Sequence, residues 1–289
     1  MNILVTGCNG QLGTELRNRS VRFPHYNWVF ADIVSPNGDN FILDITDEAA
    51  VRSLVAERHI DLIINCAAYT NVDRAEEDEP AAERLNADAV RILGSMPVRM
   101  IHISTDYVFA GEGWIPCRET DPVAPRTAYG RTKLHGEEQL LVVNPTAVII
   151  RTAWLYSPYG NNFVKTMIRL GKEKDKLGVV FDQIGTPTYA ADLAWAIFIV
   201  IESPVWYPGI YHFTNEGVCS WYDFTIAILS LANITTCPVF PISSDEYVYK
   251  TPRPHYSVLD KSKFKKTFGV AIPYWLDGLR RCMTKLMSE

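Results

Sequence analysis

The chain has 289 residues, 47% hydrophobic, 21% charged and 11% aromatic, with 28 basic against 33 acidic side chains for a formal charge of −5. That balance excludes disordered, collagenous and disulfide-scaffold classes, and it offers no basic field for a polyanion, so nucleic acid is not an expected partner. At roughly 150 residues per domain the length allows two domains, or one large α/β domain with an appended lobe, and a small molecule is the default ligand.

The amino end passes from Met1 straight into the apolar strand Ile3-Leu4-Val5, with no basic region or cleavable apolar stretch like that of a signal peptide. The strand runs into Thr6-Gly7-Cys8-Asn9-Gly10-Gln11-Leu12-Gly13 and then a helical stretch, Thr14 to Arg19. Glycines spaced in this way suit a dinucleotide cradle. Gly7 permits the tight turn, Gly10 lets backbone N–H groups approach a pyrophosphate, and Gly13 lets the helix lie close to the strand. The next strand, Trp28 to Ala31, ends in Asp32, a carboxylate placed to accept hydrogen bonds from an adenosine ribose and to repel a 2′-phosphate. No Arg or Lys follows before Arg52, so the sequence favours NADH over NADPH. Asp44 and Ile45, after the run Phe41-Ile-Leu, are expected to flank the adenine. Ala67-Ala68-Tyr69 follows the strand Leu62–Asn65 and supplies small residues at a carboxyl strand end, where such sheets hold ligands.

The acidic run Glu76-Glu-Asp-Glu79 before Pro80 reads as a solvated helix start rather than a metal site. The strand Met100–Ser104 leads into Thr105 and Asp106, and the hydroxyls of Ser104 and Thr105 are placed to hold a carbonyl oxygen. Past a Pro-rich loop, Tyr129 and Lys133 lie four residues apart on a helix and so share a face. A neighbouring ammonium and a nicotinamide cation favour the phenolate, so Tyr129 is expected to have a lowered pKa and to exchange a proton with a carbonyl oxygen.

Further strands are expected at Ala147–Thr152 and Val179–Asp182. The longest apolar run, Leu193 to Ile201, is too short to span a bilayer. The rhythm then loosens into Pro-rich and aromatic stretches that suggest a smaller lobe. Its Trp206, Trp221 and Trp275 are assigned to core. The six cysteines lie without a C-x-x-C pair or metal-ligand spacing and read as reduced thiols. The sequons at Asn18 and Asn233 are expected to be silent. These readings place the protein in the cytoplasm, without membrane contact.

The ordered set of glycine loop, hydroxyls at a strand end and Y-x-x-x-K resembles the extended short-chain dehydrogenase/reductase superfamily and, within it, the dTDP-4-dehydrorhamnose reductase family. The similarity runs nearly end to end through NCAAYTNVDRAE (65–76), STDYVFAG (104–111), YGRTK (129–133), RTAWLYS (151–157), NNFV (161–164), GTPTYAADLA (185–194) and RPHYSVLDKSKF (253–264). The resemblance implies reduction of the C4 ketone of dTDP-6-deoxy-L-lyxo-4-hexulose to dTDP-L-rhamnose with NADH or NADPH. Tyr129 would be the proton donor, Lys133 the residue that holds the nicotinamide ribose, and Thr105 the hydroxyl beside the substrate carbonyl. Asp106 and Trp154 would line the sugar site. Gly10, Gln11, Leu12, Asp32, Asp44, Ile45, Ala67, Ala68 and Tyr69 match cofactor positions.

Certain members dimerise through magnesium held by carboxylates. Glu15 matches one such position, but Ala191 and Lys285 stand where acids are expected, so a monomer is favoured over a metal-bridged homodimer. A nucleotide-sugar epimerase or dehydratase on the same fold, and a non-catalytic regulatory subunit, are the competing readings.

The expected architecture is α/β, a Rossmann-like doubly wound parallel sheet with a smaller α/β substrate-binding lobe. Residues 1–155, with a return segment near 178–215, would form the cofactor domain. Residues 156–177 and 216–289 would mainly form the lobe.

Overall fold

The computed structural model describes residues 1–247 and 250–288. Its strands are β1 (Asn2–Thr6), β2 (Asn27–Asp32), β3 (Phe41–Ile42), β4 (Leu62–Asn65), β5 (Arg99–Thr105), β6 (Val148–Thr152), β7 (Leu155–Tyr156), β8 (Leu177–Val180), β9 (Ile184–Gly185), β10 (Thr188–Tyr189), β11 (Gly209–His212), β12 (Cys219–Ser220) and β13 (Val239–Ile242). The helices are α1 (Gln11–Ser20), α2 (Glu48–Glu57), α3 (Val72–Glu77), α4 (Glu79–Glu83), α5 (Ala89–Gly94), α6 (Ala128–Val143), α7 (Phe163–Glu173), α8 (Ala190–Glu202), α9 (Trp221–Leu231), α10 (Ser262–Phe268) and α11 (Trp275–Ser288). A π-helical turn, Arg84–Asp88, joins α4 to α5.

Seven strands form one parallel sheet in the order β11-β6-β5-β4-β1-β2-β3. Period-two alternation sends neighbouring residues to opposite faces. Ile3, Val5, Leu62, Ile64, Val148 and Ile150 pack under α1 and α8, while Leu4, Ile63, Met100 and Ile149 pack under α2, α5 and α6. Both faces are covered, which is why these strands read as continuous apolar runs. Strand order reverses between β1 and β4, and the crevice at their carboxyl ends is where such sheets bind ligands.

The strand expected at Val179–Asp182 forms at Leu177–Val180, but it pairs with β13 in a separate two-stranded ribbon instead of joining the large sheet. The seventh place is taken by β11, paired in parallel with β6. Only four residues long and preceded by Pro208, β11 gives little sequence signal. The lobe has its own core, with Tyr156, Val164, Met167, Phe224, Ile228, Trp275 and Leu279 among its buried members. Trp275 is core as expected, and half-buried Trp206 packs against the core of the large sheet while donating its indole N–H to the Thr146 carbonyl at 2.7 Å. Phe264 and Ile272 return to the core of the large sheet. All six cysteines are free thiols, and no helix among the described residues is long and apolar enough to cross a membrane.

Candidate active site

The glycine loop turns sharply at Gly7 (φ +64°), where a Cβ would lie 2.6 Å from the Ala67 amide nitrogen. Gly13 is packed as tightly, since a Cβ there would sit 2.3 Å from the Gly7 carbonyl oxygen. α1 begins at Gln11, earlier than the expected Thr14, with Gly10 at its N-cap and no side-chain cap. The first-turn N–H groups of Gln11, Leu12 and Gly13 are therefore free of intrahelical partners and of a capping side chain. This is the arrangement that binds phosphate. The loop also lies against Ala67, so the turns after β1 and β4 form one cradle, and its residues fit a dinucleotide pyrophosphate.

Asp32, at the end of β2, accepts the Asn9 N–H at 2.9 Å and the Ile33 N–H at 2.8 Å, which fixes its carboxylate against the loop. A cation also reaches this corner. Arg17 on α1 contacts Cys8 Sγ at 3.2 Å, lies over the Phe30 ring and pairs with Asp39. Arg17 comes from the helix that precedes Asp32, outside the cation-free stretch between Asp32 and Arg52. Asp44 turns its carboxylate to the Thr46 N–H and hydroxyl at 2.9 and 2.7 Å, while Ile45 is buried in the core with Val51. Ala68 is half-buried, and Tyr69 shares a small apolar cluster with Tyr129, Ala75, Ala82 and Ala128.

The helix carrying the Tyr/Lys pair is anchored at its start. The Thr127 hydroxyl accepts the Gly130 N–H at 3.0 Å, and Glu76 accepts the Ala128 N–H at 2.7 Å. Glu79 takes a two-pronged contact from Arg131 at 2.9 and 2.8 Å. The acidic run is therefore part solvated helix start, with Asp78 as N-cap of α4, and part clamp on α6.

Tyr129 is half-buried, with Tyr107 edge-on at 5.4 Å. Burial pushes its phenol up, and a hydrogen bond with Thr105 opposes that shift. The expected lowering by Lys133 is not found, because the ammonium is not among the groups that act on Tyr129 and desolvation dominates. Lys133 is 2% exposed, and burial lowers its pKa to about 8 against the pull of Glu137 and Cys66. Thr105 donates to Asp106 Oδ1 at 3.0 Å and accepts the Tyr107 N–H at 3.2 Å. Ser104 is buried without a side-chain partner, so Thr105 is the hydroxyl that meets the tyrosine. Asp106 is raised to about 7 by burial, despite hydrogen bonds from Thr105 and Ser257.

On the lobe side Trp154 holds a left-handed backbone (φ +49°) and stacks on Trp221, ring centres 3.5 Å apart and planes 8° from parallel. A bulky residue in that region stores strain of about 1–3 kcal/mol, which the surroundings must hold. Trp221 packs against the lobe core, as expected, and is also half of a two-ring platform with Trp154. Asn162 donates to Gln11 Oε1 at 3.0 Å and joins the cradle to the lobe. The segment 253–260 crosses the site. Tyr256 N–H meets the Gly111 carbonyl at 3.0 Å, and Arg253 reaches Asp73 at 2.9 Å and the Tyr107 hydroxyl at 3.3 Å.

Sequence reasoning passed over four site residues. Asn65 and His102 stand behind Lys133, and Ser257 contacts Asp106. Asn86, in the π-helical turn, grips the Tyr69 N–H and carbonyl at 2.8 and 3.1 Å and reaches the Thr132 hydroxyl at 3.1 Å. The available signal was an ionisable ring inside the apolar strand Met100-Ile-His-Ile103.

A family model described as RmlD substrate binding domain matches residues 1–288. A dTDP-4-dehydrorhamnose reductase of Aggregatibacter actinomycetemcomitans is 40% identical, over 96% of this chain and 97% of its own. The crystal structure of a dTDP-4-dehydrorhamnose reductase from Clostridium acetobutylicum superposes with a TM-score of 0.92 at 41% identity, covering 99% of this chain and 100% of that one. A Bacillus anthracis dTDP-4-dehydrorhamnose reductase in complex with NADP gives 0.91 at 38% identity, covering 98% and 99%.

Proposed function

The chain belongs to the RmlD substrate binding domain family, and from that premise we propose that it reduces the C4 ketone of dTDP-6-deoxy-L-lyxo-4-hexulose to dTDP-L-rhamnose. It is an oxidoreductase that uses a nicotinamide cofactor. The observation that carries the reading is the hydrogen bond between Thr105 and Tyr129, with Lys133 one turn further along the same helix, beside an uncapped glycine cradle, in a chain that matches the reductases over its whole length.

When bound, NADH or NADPH supplies the hydride; the protein supplies orientation and a proton. The backbone of Gly7, Gly10, Gln11, Leu12 and Gly13 holds the pyrophosphate, and Asp32 the adenosine ribose. Asp44, Ile45, Ala67, Ala68 and Tyr69 line the rest of the cofactor groove. Thr105 positions the substrate carbonyl, and Tyr129, kept protonated by burial, donates to its oxygen. Lys133 would hold the nicotinamide ribose, which brings its charge to the Tyr129 side of the site only once the cofactor is bound. Asp106 and the Trp154 platform hold the sugar.

Residues 1–155 with the return strand carry the cofactor, and the later segments mainly carry the nucleotide sugar. Asp32 favours NADH, while Arg17 offers a 2′-phosphate a counter-charge, so both cofactors serve with NADH preferred. Glu15 is buried and faces the cation of Lys285 at 3.6 Å. With Ala191 and Lys285 standing where a bridge of carboxylates would need acids, the proposed working form is a monomer in the cytoplasm.

The test mixes purified protein with the enzymatically prepared 4-keto sugar nucleotide and NADH or NADPH in parallel, following nicotinamide absorbance. Stoichiometric cofactor loss with a rhamnosyl product is expected, faster with NADH. Binding of cofactor without net consumption would instead favour an epimerase, a dehydratase or a regulatory subunit.

A further inference from the structure

Behind Lys133 lies a closed chain of polar groups that the proposed reaction leaves unused. Lys133 Nζ donates to the Ile103 carbonyl at 2.7 Å and stands 3.3 Å from His102 Nε2. His102 is fully buried, with Nδ1 3.1 Å from Asn65 Nδ2. Asn65 is buried too, and its Oδ1 meets the Thr6 hydroxyl at 2.7 Å and the Ala67 amide at 3.2 Å.

These contacts fix the tautomer of the ring. The Ala67 amide can only donate, so the Asn65 oxygen must face it and the Asn65 NH₂ must face His102. Nδ1 is then an acceptor, and the neutral imidazole carries its proton on Nε2. That N–H points at Lys133. An ammonium has no lone pair to receive it, whereas a free amine does.

We propose that His102, held by Asn65, is a positioning residue that biases Lys133 towards its uncharged form and so sets the pH above which the Tyr129–Lys133 pair stops transferring protons. The proposal rests on the roles given to Tyr129 and Lys133 above. For Lys133 to bind a proton, His102 must become the acceptor at Nε2, move its own proton to Nδ1 and turn the Asn65 amide over. That turn leaves the Ala67 N–H, which lies against Gly7 in the cradle, without its oxygen. Lysine charge and cofactor loop are thereby linked through one tautomer switch.

The other groups facing Lys133 act the opposite way. The Cys66 thiol from the end of β4 and Glu137 from the lysine's own helix both favour the ammonium. Glu137 is itself bound to Arg151 on β6 at 2.6 to 3.2 Å. Burial holds His102 well below the ordinary histidine range, so the ring stays neutral throughout.

The primary test is nitrogen NMR of the unmodified protein, labelled at histidine. His102 is expected to be protonated at Nε2 at alkaline pH and to switch to Nδ1 as the pH falls through the Lys133 titration. A ring protonated at Nδ1 at alkaline pH, or one that never switches, would overturn the proposal. The kinetic test is His102→Gln, whose amide oxygen can face the ammonium directly. Its alkaline limb of kcat should move up by about one pH unit, whereas a merely structural role would lower kcat at every pH and leave the limb in place. Lys133→Met separates the two claims. If it retains full turnover, the catalytic reading of the pair fails even where the tautomer switch is seen.

Discussion

In the proposed mechanism Tyr129 is the side chain on which turnover depends most directly, because burial favours its protonated phenol and Thr105 hydrogen-bonds to it. Tyr129→Phe is expected to lower kcat by about 10²–10⁴-fold, the usual weight of a positioned proton donor, with the cofactor dissociation constant nearly unchanged. The adenosine corner offers a paired comparison. Asp32→Ala should weaken NADH about tenfold, or about 1.4 kcal/mol, and weaken NADPH less, while Arg17→Ala should reverse that order; isothermal titration with each cofactor reads both. Asp106 carries a pH signature. Its folded pKa of about 7 lies above the ordinary 3.8, so the folded state holds the extra proton between those values. Stability should therefore fall as pH rises from about 4 to about 7. Thermal melts of Asp106→Asn across that range should show a shallower slope than the parent protein.

At the level of elements, the π-helical turn has a clear task. Asn86 satisfies both backbone groups of Tyr69 and ties them to Thr132 on α6, so it sets the distance between the cofactor loop and the catalytic helix. Asn86→Ala leaves those groups without their partner and should cost about 1–3 kcal/mol, measured by urea unfolding, together with a loss of turnover. Most of the large sheet was legible because β1, β4, β5 and β6 bury both faces and advertise themselves as short apolar runs, while β2 buries alternate residues between aromatics. The edge elements were not. β3 is two exposed residues, β11 hides behind Pro208, and β8 looks like a sheet strand but finds its partner in β13. Pairing is decided by distant residues that periodicity does not register. The candidate site residues rest on motifs that are local in the same way, while Asn65, His102, Asn86 and Ser257 enter the candidate site chiefly through contacts far away in sequence.

Across the whole molecule, the lobe is fastened to the large sheet by charge as well as by packing. Asp192 on α8 is 4% exposed and receives Arg281 of α11 through two contacts of 2.7 Å, with Asn215 as a third partner at 2.7 Å. Arg281→Met removes the cation and leaves a buried carboxylate. Because Arg281 is itself half-exposed, the expected cost is about 1–3 kcal/mol, below that of a fully buried pair. Chemical denaturation would measure it, and protease cleavage should begin in the loosened C-terminal helix.

The position of α8 in the sequence has a consequence for synthesis. The sheet face that it covers is built from Ile3, Val5, Leu62, Ile64, Ile101, Val148 and Ile150, all of which are translated before residue 190. From the end of β6 to the end of α8 is about fifty residues, several seconds of elongation at about 5–20 residues per second. During that interval the nascent chain carries this apolar face covered by α1 alone, with the stripe that α8 will take still open, and is a natural client for ribosome-associated chaperones. A gene fragment stopped near residue 155 would hold the complete glycine cradle and the Tyr129–Lys133 pair, yet it would be made permanently in that uncovered state and should collect in inclusion bodies.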